Sequence, residues 1–502
     1  MTTTNYTKRA VFSTSLLLGM TVLASAVAYV TRVILARSLH PAEYGLFYAV
    51  FTFVSFFLFI KELGLGSALV KFIPQFQIEG RYHHIKTAIL STFIIQLLGS
   101  FVFAAAVFFG SGFLAEHYFK DPRAELMLRI LLLFFFGSVF FRMYRSIFNG
   151  FQNIKVYSLL ELLKNVATLG FFLLFFYGGW GIYAPAWAHG LASIFLALIL
   201  FPFLLKTFSF FKHKVVDFWP VSKELLKFGL PLFATSIAGK FISDIDTLML
   251  TYFSDLTNVG VYNVILPSAT LLLFFGGTLT EATFPMMVQF WAKKDLRRLI
   301  EGLRMLVKYS LIMLIPPSLV VLVFSDFFIE AFFGKEYLAG VLPLQILIAG
   351  MLLFTVAGII QSALLVLGRP KTVAKIFLVV AAVNIGANLI LIPRFGIIGA
   401  AFSTTLSYIV GLILSSKSLS PLLDIGISRI FVVKHILATI SMVVILIYLK
   451  AILPVSPLFK LIMAGVAGIL IYLLIAYLLR LVDFQEIKKY ALLLRKKDPE
   501  VI

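Results

Sequence analysis

The chain has 502 residues, 61% of them hydrophobic and only 13% charged, with no cysteine. A composition this apolar excludes a soluble globular domain, and the missing cysteine excludes disulfides, thiolate metal sites and a cysteine nucleophile. The formal net charge of +20 would suit a nucleic-acid surface, but the basic residues gather in short segments between apolar runs, the positive-inside pattern of a protein facing anionic lipid.

About 14 apolar stretches are long enough to cross a hydrocarbon layer of about 30 Å. The first six lie at 11–36, 44–63, 86–110, 126–147, 156–177 and 182–205. A basic stretch at 206–224 follows, carrying Lys212, Lys214, Lys223 and, near its end, Pro220. Six more lie at 227–252, 259–285, 304–324, 341–366, 373–392 and 396–416, and two close the series at 431–452 and 457–480. Long uninterrupted runs of this kind read as helices, which satisfy their own backbone groups in lipid.

The first stretch begins like a secretory signal, with Lys8, Arg9, an apolar run and Ala24-Ser25-Ala26. The run continues to Ala36, longer than a signal core, so an uncleaved first helix is expected. Lys293, Lys294, Arg297 and Arg298 mark an inner loop, and Lys488, Lys489, Arg495, Lys496 and Lys497 mark the tail. Both termini are therefore expected in the cytoplasm. The largest outer loop, 325–341, is too short to house a catalytic domain.

The second half restates the first. Trp180-Gly181-Ile182 returns as Phe395-Gly396-Ile397 and Tyr44-Gly45 as Val259-Gly260, about 215 positions later, while Gly150 meets Gly368 at about 218. Six crossings per copy leave both copies in the same orientation, a parallel repeat about an axis along the membrane normal. The expected fold is an all-α polytopic membrane protein of about 14 transmembrane helices. It comprises an N-terminal six-helix lobe at 1–205, a cytoplasmic linker at 206–224 and a C-terminal six-helix lobe at 225–418. Helices 13 and 14 and a basic cytoplasmic tail occupy 419–502, outside the repeat. Duplicated lobes with a pathway between them are the usual build of a transporter.

Polar faces repeat with the same offset. Thr21, Ser25, Ala28 and Arg32 share one face of the first helix; Ser236, Lys240, Ser243 and Thr247 occupy the matching positions of the seventh. The second helix aligns Thr52, Ser55, Phe59, Glu62 and Gly66; the eighth answers with Pro267, Thr270, Phe274, Gly277 and Glu281. Single hydroxyls usually bond backbone carbonyls or pack helices together. An intramembrane charge costs about 2.5–3.5 kcal/mol even on the lenient insertion scale and so marks a site by default.

Lys240 is the leading candidate for a wet cavity, with Asp244 four residues on able to neutralise it. Snorkelling competes for Arg32 and is expected for Lys61, while Glu161 and Lys164 are spaced to pair with each other. Glu62, Glu281, Asp246 and His189 are the candidates for gating or coupling, though for His189 a packing role competes with a proton relay. A cationic cavity suits an anion-bearing cargo, whose phosphate it would neutralise.

Several segments resemble one known family. Arg32-Val33-Ile34-Leu35-Ala36-Arg37-Ser38-Leu39 with Pro41 and Tyr44-Gly45-Leu46-Phe47 is similar to the first-helix signature of polysaccharide transporters. These form the O-antigen flippase branch of the multidrug/oligosaccharidyl-lipid/polysaccharide exporter superfamily. Leu63-Gly64-Leu65-Gly66-Ser67-Ala68-Leu69-Val70 resembles its second-helix ending. Phe228-Gly229-Leu230-Pro231-Leu232, Asp246-Thr247-Leu248-Met249-Leu250 and Val259-Gly260-Val261-Tyr262 resemble its central signatures. Leu391-Ile392-Pro393-Arg394-Phe395-Gly396-Ile397-Ile398-Gly399-Ala400-Ala401 resembles its turn between helices 11 and 12.

The resemblance implies a flippase moving a lipid-linked oligosaccharide, a glycan on a polyprenyl phosphate, from the inner to the outer leaflet by alternating access. The plasma membrane is the expected location. Coupling to a proton, a sodium ion or the membrane potential is implied without any residue that assigns it, and no other cofactor or metal is expected. Expected partners are the lipid-linked glycan and anionic lipids, with glycosyltransferases compatible and nucleic acid excluded. The alternative is a cation-coupled multidrug exporter of the same superfamily, which would favour an acidic cavity. A membrane glycosyltransferase or glycan polymerase would need acidic catalytic residues beside a sizeable outer domain, and the chain offers neither.

Overall fold

A computed structural model describes residues 3–426, 428–452 and 457–481, without the side chains of 3–14, 234–236, 238, 274–276, 278, 282 and 457. The basic tail beyond 481 and the candidate Ser236 side chain lie outside the described residues. Among those residues the chain is helical and carries no strand. The elements are α1 (Thr3–Ser38), α2 (Pro41–Phe56), α3 (Leu58–Glu62), α4 (Leu65–Ile78), α5 (Tyr82–His117), α6 (Arg123–Gly150), α7 (Ile154–Tyr177) and α8 (Ala184–Thr207). Then follow α9 (Phe218–Phe253), α10 (Leu256–Thr270), α11 (Leu273–Ala292), α12 (Leu296–Val323), α13 (Ser325–Phe332), α14 (Val341–Val366), α15 (Pro370–Leu419), α16 (Arg429–Ile452) and α17 (Pro457–Leu478). By length and composition 11 helices among the described residues can cross a membrane, so the multi-pass architecture stands while the figure of 14 does not follow from them.

The differences from the expected spans have local causes. The second span is broken after Phe56 and the eighth after Thr270, with α3 and α11 resuming at Leu58 and Leu273. Leu58 and Leu273 are again 215 apart, so the copies share a kink as well as a face. Pro267 lies inside the eighth span, where it withholds one backbone donor. At the end of α3, Leu63 and Gly64 both take left-handed φ values, 44° and 71°. A Cβ on Gly64 would lie 2.1 Å from the Gly229 carbonyl oxygen of α9, which leaves glycine as the residue that fits. The expected eleventh and twelfth spans are the two arms of α15, broken at Gly396 by a φ of 53°. Its repeat partner Gly181 has the same φ.

Contacts gather the chain into two compact units. One comprises the described residues of Met1–Val264 and Ala381–Ser403, the other those of Ile265–Val380 and Thr404–Ile502. In the first unit α6 packs on α5 and α8, and α7 on α1 and α8, while α9 lies against α2, α4 and α5. Its core joins Leu69, Phe72 and Ile73 of α4 to Ile147 and Phe148 of α6, Leu196 and Leu200 of α8 and Leu225 of α9. The second unit packs α12 against α11, α14, α16 and α17, around Phe324, Met442, Leu446 and Tyr472.

The repeated glycines Gly45 and Gly260 meet each other inside the first unit. A Cβ on Gly45 would lie 1.8 Å from the Leu256 carbonyl oxygen, and one on Gly260 2.1 Å from that of Pro41. Pro41 and Leu256 are themselves 215 apart, so α2 and the start of α10 touch reciprocally, as elements related by a local twofold axis do.

Candidate functional site

A polar cavity of about 380 Å³ opens within the first unit. Its lining includes Arg142, Arg145, Ser146 and Asn149 of α6, Tyr157, Glu161 and Lys164 of α7, and Glu62 at the end of α3. Three cations and two carboxylates thus share one hollow, a surplus of one positive charge. Arg142 pairs with Glu62 and Arg145 with Glu161, and Arg145 also donates to the Tyr157 hydroxyl at 3.2 Å. Lys164 lies over the rings of Phe134 and Phe141 at 5.9 and 4.8 Å. Spacing of three residues puts both arginines on one face of α6. The break after α3 delivers Glu62 to that face from a second direction.

A neighbouring cavity of about 310 Å³ shares Arg145, Tyr157 and Glu161 and is otherwise lined by Thr21, Ser25 and Ala28 of α1, Ser158 and Asn165 of α7, and apolar residues. The polar face of the first helix therefore does turn into a hollow through those three positions. Thr21 bonds its own Leu17 carbonyl at 2.8 Å, and Asn165 ties α7 to α1 through the Ala24 carbonyl at 2.8 Å.

The other predicted residues lie elsewhere. Arg32 is engaged, donating to the Asn263 carbonyl at 2.6 Å and stacking 4.4 Å over the Tyr48 ring. Lys240 pairs with Asp244 on its own helix, part-exposed, and Ser243 donates to Asp244 at 2.8 Å. Thr247 is buried and accepts from the Asn263 amide at 3.2 Å. Glu281 is exposed on α11, in the second unit. His189 packs among Phe47, Phe51 and Phe134, with ring centroids 4.6 to 6.1 Å away.

Asp246 is the most enclosed candidate. Its carboxylate, 2% exposed, accepts from the Tyr262 hydroxyl at 2.6 Å and from Asn388 and Asn384 at 2.6 and 3.2 Å. The first arm of α15 supplies both asparagines, one turn apart.

Two sequence expectations are corrected. Lys61 does not snorkel: it is 1% exposed and donates to the Phe135 carbonyl at 2.5 Å and Ser138 at 2.6 Å. Glu161 does not pair with Lys164, because Arg145 reaches it from α6. Sequence reasoning passed over Arg142, Arg145, Asn384 and Asn388, although two arginines three apart inside an apolar span were signal enough.

Comparison with known proteins places this geometry. A family profile described as "Polysaccharide biosynthesis protein" matches residues 11–291, more than half of the chain, and one described as "MatE" matches 231–390. An uncharacterized membrane protein of Methanocaldococcus jannaschii is 28% identical over 96% of this chain and 98% of its own length. The probable low-salt glycan biosynthesis flippase Agl15 of Haloferax volcanii is 26% identical over 51% of this chain and 54% of its own length. Among solved structures, the lipid II flippase MurJ in an inward closed conformation is similar with a TM-score of 0.75 at 17% identity, covering 92% of this chain and 98% of that one. An inward-facing multidrug resistance MATE transporter is similar with a TM-score of 0.64 at 16% identity, covering 79% and 95%. These likenesses show the fold that the repeat implied.

Proposed function

Because the chain belongs to the polysaccharide biosynthesis protein family, within the multidrug/oligosaccharidyl-lipid/polysaccharide exporter superfamily, we propose that it flips a glycan linked to a polyprenyl phosphate from the inner to the outer leaflet of the plasma membrane. The observation that carries this reading is the hollow of the first unit, with its surplus cation among hydroxyls and amides. A phosphate crossing hydrocarbon needs opposite charge, and a sugar needs hydrogen-bonding partners that replace water. The polyprenyl tail needs neither and stays in lipid. Relatives named as glycan flippases support the reading.

In this scheme Thr21, Ser25 and Asn165 bind sugar hydroxyls, while Lys240 and Arg32 add positive charge along the path. Asp246 takes the coupling proton or sodium ion: a buried carboxylate held by the Tyr262 hydroxyl and two asparagine amides is a group that such a cation can neutralise. Both termini face the cytoplasm, and the two halves expose the site alternately.

Reconstitution in vesicles with a fluorescent polyprenyl-phosphate-linked glycan tests the proposal, with flipping of that lipid as the expected result. Lys240→Ala and Arg32→Ala should each slow it severalfold, and Asp246→Asn should remove its dependence on an imposed ion gradient. The match of 231–390 to the MatE profile favours drug export as the second reading. Altered drug sensitivity on expression, with no movement of lipid-linked glycan in vesicles, would establish that reading instead.

A further inference from the structure

Arg142 and Arg145 are each occupied by a carboxylate from a different element, and both pairs face the larger cavity of the first unit. We infer that these arginines form a phosphate site in which Glu62 and Glu161 are resident stand-ins, displaced when a phosphate or diphosphate ester enters. The inference deepens the flippase reading and rests on it for the nature of the cargo.

The geometry suits exchange. The four side chains keep 43, 29, 36 and 38% exposure for Arg142, Glu62, Arg145 and Glu161, so a solute in the hollow reaches them without unfolding anything. Ion pairs in contact with water are weak, because solvent screens the charges and two long side chains must be held in one geometry. A phosphate oxygen pair offers each guanidinium the bidentate, charge-assisted contact for which its planar fork is shaped. Lys164 lines the same hollow, has no ion pair among the described residues and supplies the cation that the resident glutamates leave over.

Release is built into the supports of each carboxylate. Glu62 ends α3 and is followed by two left-handed residues, so its carboxylate is carried on a chain break rather than a helix interior. Glu161 is backed by Tyr157 one turn earlier on α7, whose hydroxyl holds Arg145 at 3.2 Å and keeps it aimed when Glu161 leaves. An uncharged glycolipid has nothing with which to displace a carboxylate, and a cationic solute meets the surplus positive charge. Anion-bearing cargo is selected by competition.

The sign of the glutamate effect is the test. Calorimetric titration of the purified full-length protein with inorganic pyrophosphate should show binding that Arg142→Gln with Arg145→Gln weakens tenfold or more. Glu62→Gln and Glu161→Gln, which remove the competitor, should tighten it severalfold. Arg142→Lys with Arg145→Lys, retaining charge while losing the fork, should fall between, and this guards against a glutamine variant that merely misfolds. Glutamate variants that weaken binding, or that leave it unchanged, overturn the inference, since carboxylates that only prop the arginines would act in that way. If the four variants are indifferent to pyrophosphate while lipid-linked glycan still flips, the site falls and the flippase reading stands. If the expected signs appear and no glycan moves in vesicles, the site stands and that reading falls.

Discussion

Lys61 and Glu62 are neighbours in the chain and sit in opposite kinds of surroundings. Glu62 reaches a hollow, whereas Lys61 is held against the Phe135 carbonyl, the Ser138 hydroxyl and, at 4.2 Å, the Phe135 ring. About 100° of helical rotation separates them, and the same rotation that aims one carboxylate at Arg142 buries the amine. α5 closes over the amine's base: a Cβ on Gly99 would lie 3.4 Å from the Lys61 Cα. A buried amine pays for its lost hydration, and a carbonyl and a hydroxyl return only part of that. Lys61→Met keeps the length of the side chain and removes the buried polar amine, so its melting temperature in detergent should equal or exceed that of the parent. Lys61→Glu would set a carboxylate against a carbonyl oxygen and should leave little folded protein on size-exclusion chromatography. The sequence suggested snorkelling because nothing in local spacing shows that a helix will stop after five residues and turn its lysine inward.

Helix periodicity located most spans to within a few residues, because length and apolarity are properties of each stretch alone. Breaks are different. The kink after Phe56 and its counterpart after Thr270 fall inside apolar runs, and α4 lies beyond the expected end of the second span at 63. Partners across helices were equally out of reach. Glu161 had Lys164 at a favourable spacing, but the arginine that takes it comes from another helix. What the sequence did carry was the duplication, and it predicts an energetic coupling. Gly45 and Gly260 each face the backbone of the other's element at 1.8 to 2.1 Å for an added Cβ. Neither carbonyl can rotate away from its helix, so Gly45→Ala and Gly260→Ala should each cost about 1–3 kcal/mol through overpacking. Both changes pry apart one contact, so the double variant should cost clearly less than their sum, measurable as the coupling term of a double-mutant cycle on thermal unfolding.

At the scale of the whole molecule, the first unit contains the cavities, the arginine–glutamate pairs and the Asp246 cluster, while α16 and α17 belong to the second. The two last helices were legible as additions because they follow two complete copies of six spans. Their attachment was not legible, since it depends on side chains of α12 and α13. Met442 and Leu446 of α16 and Tyr472 of α17 bury Phe324 and Val320. Lys450 bonds the Val323 carbonyl and Asp326, both at 2.8 Å. In lipid the exposed apolar face of α12 would be covered by acyl chains almost as well as by leucine and methionine, so loss of the pair carries no large hydrophobic penalty. The Lys450–Asp326 pair is part-exposed and contributes about 0.2–1 kcal/mol. A chain ending before α16 should therefore still insert, melt only a few degrees lower in detergent and bind pyrophosphate within twofold of the full-length value. Collapse of binding on this truncation would mean that the added helices brace the first unit's site, and that the unit is not self-sufficient.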